Sequence, residues 1–317
     1  MKAFCVTDSV ASGGLAEEEI PVPQPRPDEL LIRVCAAGVT PTELRWYPTT
    51  HRKDGETRRR AVPGHEFSGV VAAAGGNIDA VGVGREVYGM NDWFADGAMS
   101  EYCVTKPSSV VPKPLNLTHA EAASVPIGAL TAWQGLVDRA NLQASERVLV
   151  QGGAGAVGVF AIQLARLHGA YVIATASSRN LEFVRQMGAE SVIDYQAMRF
   201  EEEVGEVDVV FDTVGGETLR RSWKVLKPNG RMVTIAADGE GATEDRVKEA
   251  FFIVEPNEQQ LIEIGRLLDT RHLKPVVDAV VPFAQTPAAY AGRAGKRQGR
   301  GKVVIEVWAQ DNAASRM

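Results

Sequence analysis

Up to about residue 115 the apolar positions fall in short runs, or alternate with polar ones, between glycine and proline punctuation. The stretches 30–36, 66–74, 85–88 and 100–105 read in this way as β-strands. Prolines crowd 21–27 and recur at Pro112 and Pro114. Thr118, followed three residues later by Glu121, makes a capping box that starts a helix, and the pattern over 130–140 predicts a second one. From Arg147 onward two patterns alternate: strands at 147–150, 170–175, 191–194, 207–212 and 231–236, and helices at 159–167, 181–187 and 219–226. This rhythm predicts an α/β fold with a parallel, doubly wound sheet. A helix over 259–268 leads to strands at 276–281 and 302–307, which have no evident partners in that sheet. They are expected to return to the N-terminal β-rich part. The expected organisation is a discontinuous β-rich domain of residues 1–117 and 256–317, with a doubly wound domain of residues 118–255 inserted into it. The polar residues after Val307 read as a loose tail.

Within 148–158 the run V-L-V-Q-G-G-A-G-A-V-G joins a buried strand, a turn and a helix start. Gly153, Gly155 and Gly158 satisfy G-x-G-x-x-G, and the strand–turn–helix setting gives that pattern its weight. The first glycine allows a tight turn. The second lets the backbone of Ala154, Gly155, Ala156 and Val157 approach a pyrophosphate, and the third lets the helix pack close to the strand. Free N–H groups and the helix dipole then hold the anion. A free ribose 2′-hydroxyl calls for an acidic side chain about 20 residues further on. The second strand instead runs into Ala176, Ser177, Ser178 and Arg179. Hydroxyls and a guanidinium favour a 2′-phosphate, hence NADP(H), because Arg grips phosphate bidentately and a carboxylate repels it. The competing reading of Arg179 is a solvated residue opening the next helix.

The 317 residues suffice for two domains, and 45% hydrophobic with 23% charged content is that of an ordinary globular protein. A net charge of −6 without a dominating basic block argues against nucleic acid or a membrane surface as the main partner. The local basic clusters at 51–53, 58–60 and 293–302 read as solvated loops. No window approaches 18 apolar residues, and the N-terminus opens on a strand without an export signal, so the cytoplasm is the expected location. Cys5, Cys35 and Cys103 are odd in number and far apart. They fit reduced thiols and neither a disulfide framework nor a C-x-x-C metal site.

Further stretches carry a family likeness. They are Gly38-Val39-Thr40-Pro41-Thr42-Glu43, Pro63-Gly64-His65-Glu66-Phe67-Ser68-Gly69-Val70, residues 97–102 and 125–133, the glycine turn with Ala161-Ile162-Gln163-Leu164-Ala165, Phe211-Asp212-Thr213-Val214-Gly215-Gly216, and Gly301-Lys302-Val303-Val304-Ile305. Through them nearly the whole chain resembles the zinc-independent, quinone oxidoreductase-like (zeta-crystallin-like) members of the medium-chain dehydrogenase/reductase superfamily. The resemblance implies a GroES-like catalytic domain, a Rossmann domain inserted within it, and an active site in the cleft between them. It also implies a homodimer formed by extending the nucleotide-domain sheet.

Zinc-dependent relatives hold their catalytic metal through a Cys–His–Cys set whose positions correspond here to Thr40, His65 and Ile127. Only the histidine remains, and catalytic zinc needs three protein ligands. The region 91–100 has no cysteine where the structural zinc lobe would lie. No metal is therefore expected. Without a Lewis acid alcohol oxidation is disfavoured. The resemblance points instead to hydride donation from the nicotinamide to a quinone, or to the β-carbon of an α,β-unsaturated carbonyl. Thr40, Tyr47 and His65 are the catalytic candidates that meet the small-molecule substrate, with Tyr47 or water as proton source. Thr40 stands where quinone oxidoreductases often carry Asn. Tyr47 as an aromatic packed beside Trp46, and His65 as a hydrogen-bonded remnant, are the competing readings. Matching motifs imply cofactor contacts at Thr131, Thr213, Val214 and Ala236, and at Phe252, Ile253 and Val254 along the nicotinamide. Tyr195, Arg297 and Lys302 resemble residues that surround the 2′-phosphate. An enoyl-thioester reductase and an NADPH-binding structural or regulatory protein are the competing functions. Substrate choice is expected to lie in the loops 47–60 and 88–97.

Overall fold

In chain order the strands are β1 (Lys2–Val6), β2 (Leu15–Glu19), β3 (Leu30–Gly38), β4 (Glu66–Ala74), β5 (Glu86–Met90), β6 (Tyr102–Thr105), β7 (Val110–Pro112), β8 (Arg147–Gln151), β9 (Tyr171–Ala176), β10 (Ser191–Asp194), β11 (Val207–Asp212), β12 (Leu226–Thr234), β13 (Val277–Pro282) and β14 (Lys302–Glu306). They come from a computed structural model that describes residues 1–7, 14–76, 78, 82–236 and 242–308. The tail after Trp308 lies outside the described residues.

The first sheet runs β13-β14-β3-β4-β5-β7, with β6 laid along β3. The first two strands in that order, β13 and β14, come from the end of the chain. β14 pairs antiparallel with β3, setting Val304 opposite Gly38 and Ile305 opposite Ala37. The inner faces of these strands enclose Phe4, Ile32, Phe67 and Met99. Fully burying each such side chain contributes about 1.5–3 kcal/mol.

The second sheet is parallel throughout, in the order β10-β9-β8-β11-β12. β8 is buried along almost its whole length because helices cover both faces of the sheet, which is why it reads as a continuous apolar run. Strand order reverses between β8 and β11, and a crevice opens there at the carboxyl ends of the strands. The helix Gly158–Leu167 leaves β8 at that point and buries all but its last two residues. The helix expected over 130–140 starts earlier, at Pro126, where proline is preset for the first turn. It passes into a π-helical stretch over Gln134–Arg139. β12 likewise begins earlier than its pattern suggests, at Leu226. Its polar first half gives no alternating signal.

One hydrophobic cluster joins the two sheets. Tyr88, Met90 and Val111 of the first pack with Leu130, Phe160 and the Leu261 and Ile264 face of the helix Glu258–Asp269. Tyr88 Oη donates to the Leu261 carbonyl at 2.9 Å within that contact. The floor of the cleft is therefore a continuous core. No helix among the described residues is long and apolar enough to cross a membrane.

Candidate active site

The glycine turn leaves β8 at the reversal of strand order. Its left-handed residue is Gly152 (φ 77°), one position ahead of the motif, so the tight turn assigned to Gly153 belongs to Gly152. Gly153 instead packs its α-carbon against Ala174 and Ile162, where any Cβ would be crowded at 3.0 Å. A Cβ on Gly158 would overlap the Gly152 carbonyl, which is the close helix–strand approach expected of the third glycine. At Gly155 a Cβ would meet only Gly152 O, at 3.3 Å. That residue is exposed, and its backbone bridges to Gly301. The first helical hydrogen bond is Val159 N–H to Gly155 O, 3.1 Å, so the amides of Ala156, Val157 and Gly158 precede it. The turn therefore fits a pyrophosphate.

A side-chain network holds the turn. Thr175 Oγ1 accepts the Gly152 N–H at 3.1 Å and donates to Gln151 Oε1 at 2.7 Å. Gln151 Nε2 in turn donates to Ser222 Oγ at 3.0 Å. Thr213 Oγ1 donates to the Gln151 carbonyl at 2.7 Å, and Val214 beside it is exposed.

At the end of β9, Ser177 is half-buried and Ser178 and Arg179 are exposed. The loop 297–301, arriving from the first sheet, closes over them. Asp278 takes the Gln298 N–H (2.8 Å) and the Arg297 Nε (3.3 Å). Arg300 donates to Asn180 Oδ1 at 2.8 Å and lies over the Phe183 ring. Gly301 N–H reaches Ala154 O at 2.8 Å. Gly299 comes so near Arg179 that its absent Cβ would lie 2.9 Å from Nη2. Two guanidiniums, those of Arg179 and Arg300, thus flank one strand end. Tyr195 stands next to them, 57% exposed, with its N–H on Ala176 O. Asp194 also reaches this corner and accepts from Ser178 Oγ at 2.5 Å. Arg300 and Asp194 escape a sequence reading because each arrives from another strand end or from the far end of the chain.

The three catalytic candidates have different surroundings. His65 is 1% exposed, with Nδ1 2.5 Å from Glu43 Oε2 and Nε2 3.2 Å from the Ala95 carbonyl. A carbonyl only accepts, so Nε2 carries a proton. Glu43, itself 0% exposed, also accepts from Tyr290 Oη and from the Gly64 N–H. Burial, and then the Glu43 charge, hold the Tyr290 phenol well above its ordinary pKa, so it stays a donor. His65 is therefore locked in place by both of its nitrogens. Tyr47 is 48% exposed and stacks on His51 at 4.4 Å. Trp46 packs edge-on against Trp93 instead, so Tyr47 is not the buried neighbour of Trp46. Thr40 is half-buried and accepts from Lys302 Nζ at 3.2 Å. Lys302 is correspondingly turned inward, 5% exposed, and points at Thr40 and Glu66 rather than at the corner holding Arg179.

Other expected cofactor contacts are buried. Thr131 bonds back to Ile127 O at 2.6 Å, Phe252 lies under Arg139, and Ala236 is 7% exposed. Ile253 and Val254 line a cavity of about 1210 Å³, together with Pro48, Lys53, Trp93 and Phe94 from the two loops expected to select substrate. Trp93 Nε1 donates to Val254 O at 2.8 Å and ties those loops to the nucleotide-binding half. A second cavity of about 190 Å³ is bounded by Val39, Pro41, Lys302 and Arg297 on one side and Ala156 of the glycine turn on the other.

Residues 26–115 match the family described as alcohol dehydrogenase GroES-like domain, and residues 187–305 match the one described as zinc-binding dehydrogenase. The chain is 33% identical over 299 residues to a 2-methylene-furan-3-one reductase of Solanum lycopersicum, covering 90% of this chain and 73% of the relative. It is 32% identical over 323 residues to the NADPH-dependent alkenal/one oxidoreductase, chloroplastic, of Arabidopsis thaliana, covering 96% and 79%. The solved quinone oxidoreductase of Coxiella burnetii superposes with a TM-score of 0.86 at 28% identity, over 97% of this chain and 99% of that one. The chain belongs to the medium-chain dehydrogenase/reductase superfamily. Within it the protein is of the quinone oxidoreductase-like type, an NAD(P)H-dependent oxidoreductase with a GroES-like domain and a Rossmann-like sheet. The resemblance aligns Thr40, His65 and Ile127 with the zinc-ligand positions of zinc-dependent members. Here the first is bound to Lys302, the second is sealed between Glu43 and Ala95, and the third is aliphatic.

Proposed function

We propose that the protein is a zinc-independent reductase that uses NADPH to deliver hydride to a quinone or to the β-carbon of an activated alkene. One juxtaposition carries the reading. A turn built for a pyrophosphate faces, across one small cavity, the Lys302 ammonium, which donates to Thr40 at the position where zinc-dependent relatives place a thiolate. When bound, the nicotinamide supplies the hydride. The amides of Ala156, Val157 and Gly158 hold the pyrophosphate, and Ile253 and Val254 flank the ring. Ser177, Tyr195, Arg179 and Arg300 take the 2′-phosphate. Asp194 opposes that phosphate, but its charge is single, it is hydrogen-bonded to Ser178, and the side chains of Arg179 and Arg300 belong to the same corner. Thr40 meets the acceptor oxygen, and His65, held by Glu43, fixes the wall behind it. The loops 47–60 and 88–97 select the substrate.

The discontinuous arrangement of residues 1–117 and 256–317 around 118–255 is the organisation we infer, and β12, at the sheet edge, is the strand through which two copies pair. The test is oxidation of NADPH and of NADH across quinones, enones, enals and enoyl thioesters, in buffer with a metal chelator. Turnover of quinones or enones that prefers NADPH and ignores the chelator supports the reading. Activity confined to alcohols, or abolished with the loss of one equivalent of zinc, refutes it.

A further inference from the structure

Beneath Thr40 lies a charge pair to which the proposed reading assigns no role in the reaction. Lys302 opens β14 at 5% exposure, and Glu66 opens β4 at 0%. Lys302 Nζ is 2.5 Å from Glu66 Oε1, and Glu66 Oε2 accepts the Ile127 N–H at 2.9 Å. Burial pushes the Glu66 carboxyl up, and Lys302 pulls it back. The chain keeps room for this pair: a Cβ on Gly38, the adjacent residue of β3, would overlap Glu66 Oε1. An apolar pair of the same volume would often hold two strands as well or better. Stability alone therefore does not account for the charges.

We propose that Lys302, anchored by Glu66, is a positioning residue that makes Thr40 the hydrogen-bond donor to the acceptor's oxygen. The proposal rests on the reading that Thr40 touches that oxygen. A hydroxyl has one proton and two lone pairs. Thr40 Oγ1 accepts from Lys302, so its own proton is directed away from the ammonium. A donor polarised by a neighbouring cation is also the stronger one. Hydride addition at the β-carbon oxidises the nicotinamide; the alkene π pair becomes a double bond between the α-carbon and the carbonyl carbon, and the carbonyl π pair moves onto oxygen. The resulting enolate takes a proton from water at its α-carbon. Thr40 O–H meets the oxygen as charge develops, and the Lys302 charge lies directly behind that bond.

The test uses the whole chain with NADP⁺ and 4-nitrophenol, whose phenolate mimics the enolate oxygen and whose absorbance reports ionisation. Wild type should favour the bound phenolate about tenfold more than Lys302→Met does, as expected for an opposite charge this close. Lys302→Arg should keep most of that preference. Thr40→Val should lose it, and adding Lys302→Met to Thr40→Val should cause no further loss. Should Lys302→Met alone fail to fold because it strands Glu66, the pair Lys302→Met with Glu66→Gln removes both charges and carries the same expectation. Enone turnover should fall in parallel, with kcat reduced about tenfold and the NADPH Kd unchanged. Equal phenolate preference in wild type and folded Lys302→Met overturns the proposal, as does an additive loss in the double variant. A protein that shows the Lys302-dependent preference yet reduces no quinone or enone retains this proposal and loses the reductase reading.

Discussion

Gly155 and Gly158 are both glycines of one motif, yet the space around them assigns them different tasks. A Cβ on Gly158 would overlap the Gly152 carbonyl, while one on Gly155 would meet only Gly152 O, at 3.3 Å. Gly158→Ala should therefore lower Tm by several degrees, since overpacking costs about 1–3 kcal/mol. Gly155→Val should leave Tm nearly unchanged and weaken NADPH binding at least a hundredfold, measured by fluorescence titration alongside thermal melts. At the corner proposed for the 2′-phosphate, Arg300→Ala or Arg179→Ala should each raise the Kd for NADPH about tenfold to a hundredfold and leave that for NADH within twofold. This corresponds to roughly 1.5–3 kcal/mol for a charge-assisted bond. A wild type that binds NADH more tightly than NADPH contradicts the assignment. Arg179 was legible in the sequence because it follows a strand at a fixed distance from the glycines. Arg300 was not, because nothing local marks a residue that comes to Asn180 from 120 positions away.

Among the elements, those with the strongest patterns were the most readable. β8 and the helix after it announce themselves by an apolar run and a glycine turn, and both lie where the periodicity puts them. The polar start of β12 and the proline-initiated helix at Pro126 carry no such signal, so their boundaries move. The turn's support was invisible as well, because Gln151, Thr175 and Ser222 meet only when parallel strands and a helix pack. Thr175 is the hinge of that network, accepting from the turn and donating to Gln151. Thr175→Val keeps the shape but leaves the Gly152 N–H and Gln151 Oε1 without their partner. It should weaken NADPH binding severalfold and lower Tm, while Thr175→Ser restores both; equal binding in all three proteins would show that the turn does not depend on the hydroxyl.

For the whole molecule, charge is placed mainly to tolerate neutral pH. Hydrogen bonding to Arg221 holds the Glu201 carboxyl down at about 2, and Arg231 holds Glu146 low. Groups lowered on folding stabilise the protein above their unfolded values and lose that contribution as pH falls through the folded ones. The contribution of these carboxylates to urea stability should therefore be full above about pH 5 and be lost from about pH 4.5 toward 2. Arg221→Met should lower stability at neutral pH and make that decline shallower, because Glu201 is then no longer held down on folding. A decline that begins near pH 6 would mean that histidines, and not these carboxylates, control acid unfolding. The reductase reading rests on the assembled cleft, in which Lys302, bonded to Thr40 from the opposite end of the chain, faces Ala156 of the glycine turn. The most direct measurement of that account is the fate of deuterium carried at C4 of NADPH when an α,β-unsaturated ketone is reduced in chelator-treated buffer. The account predicts one deuterium at the β-carbon of a saturated ketone, read by NMR. Deuterium at the carbonyl carbon of an alcohol product, the outcome of metal-assisted carbonyl reduction, would contradict it.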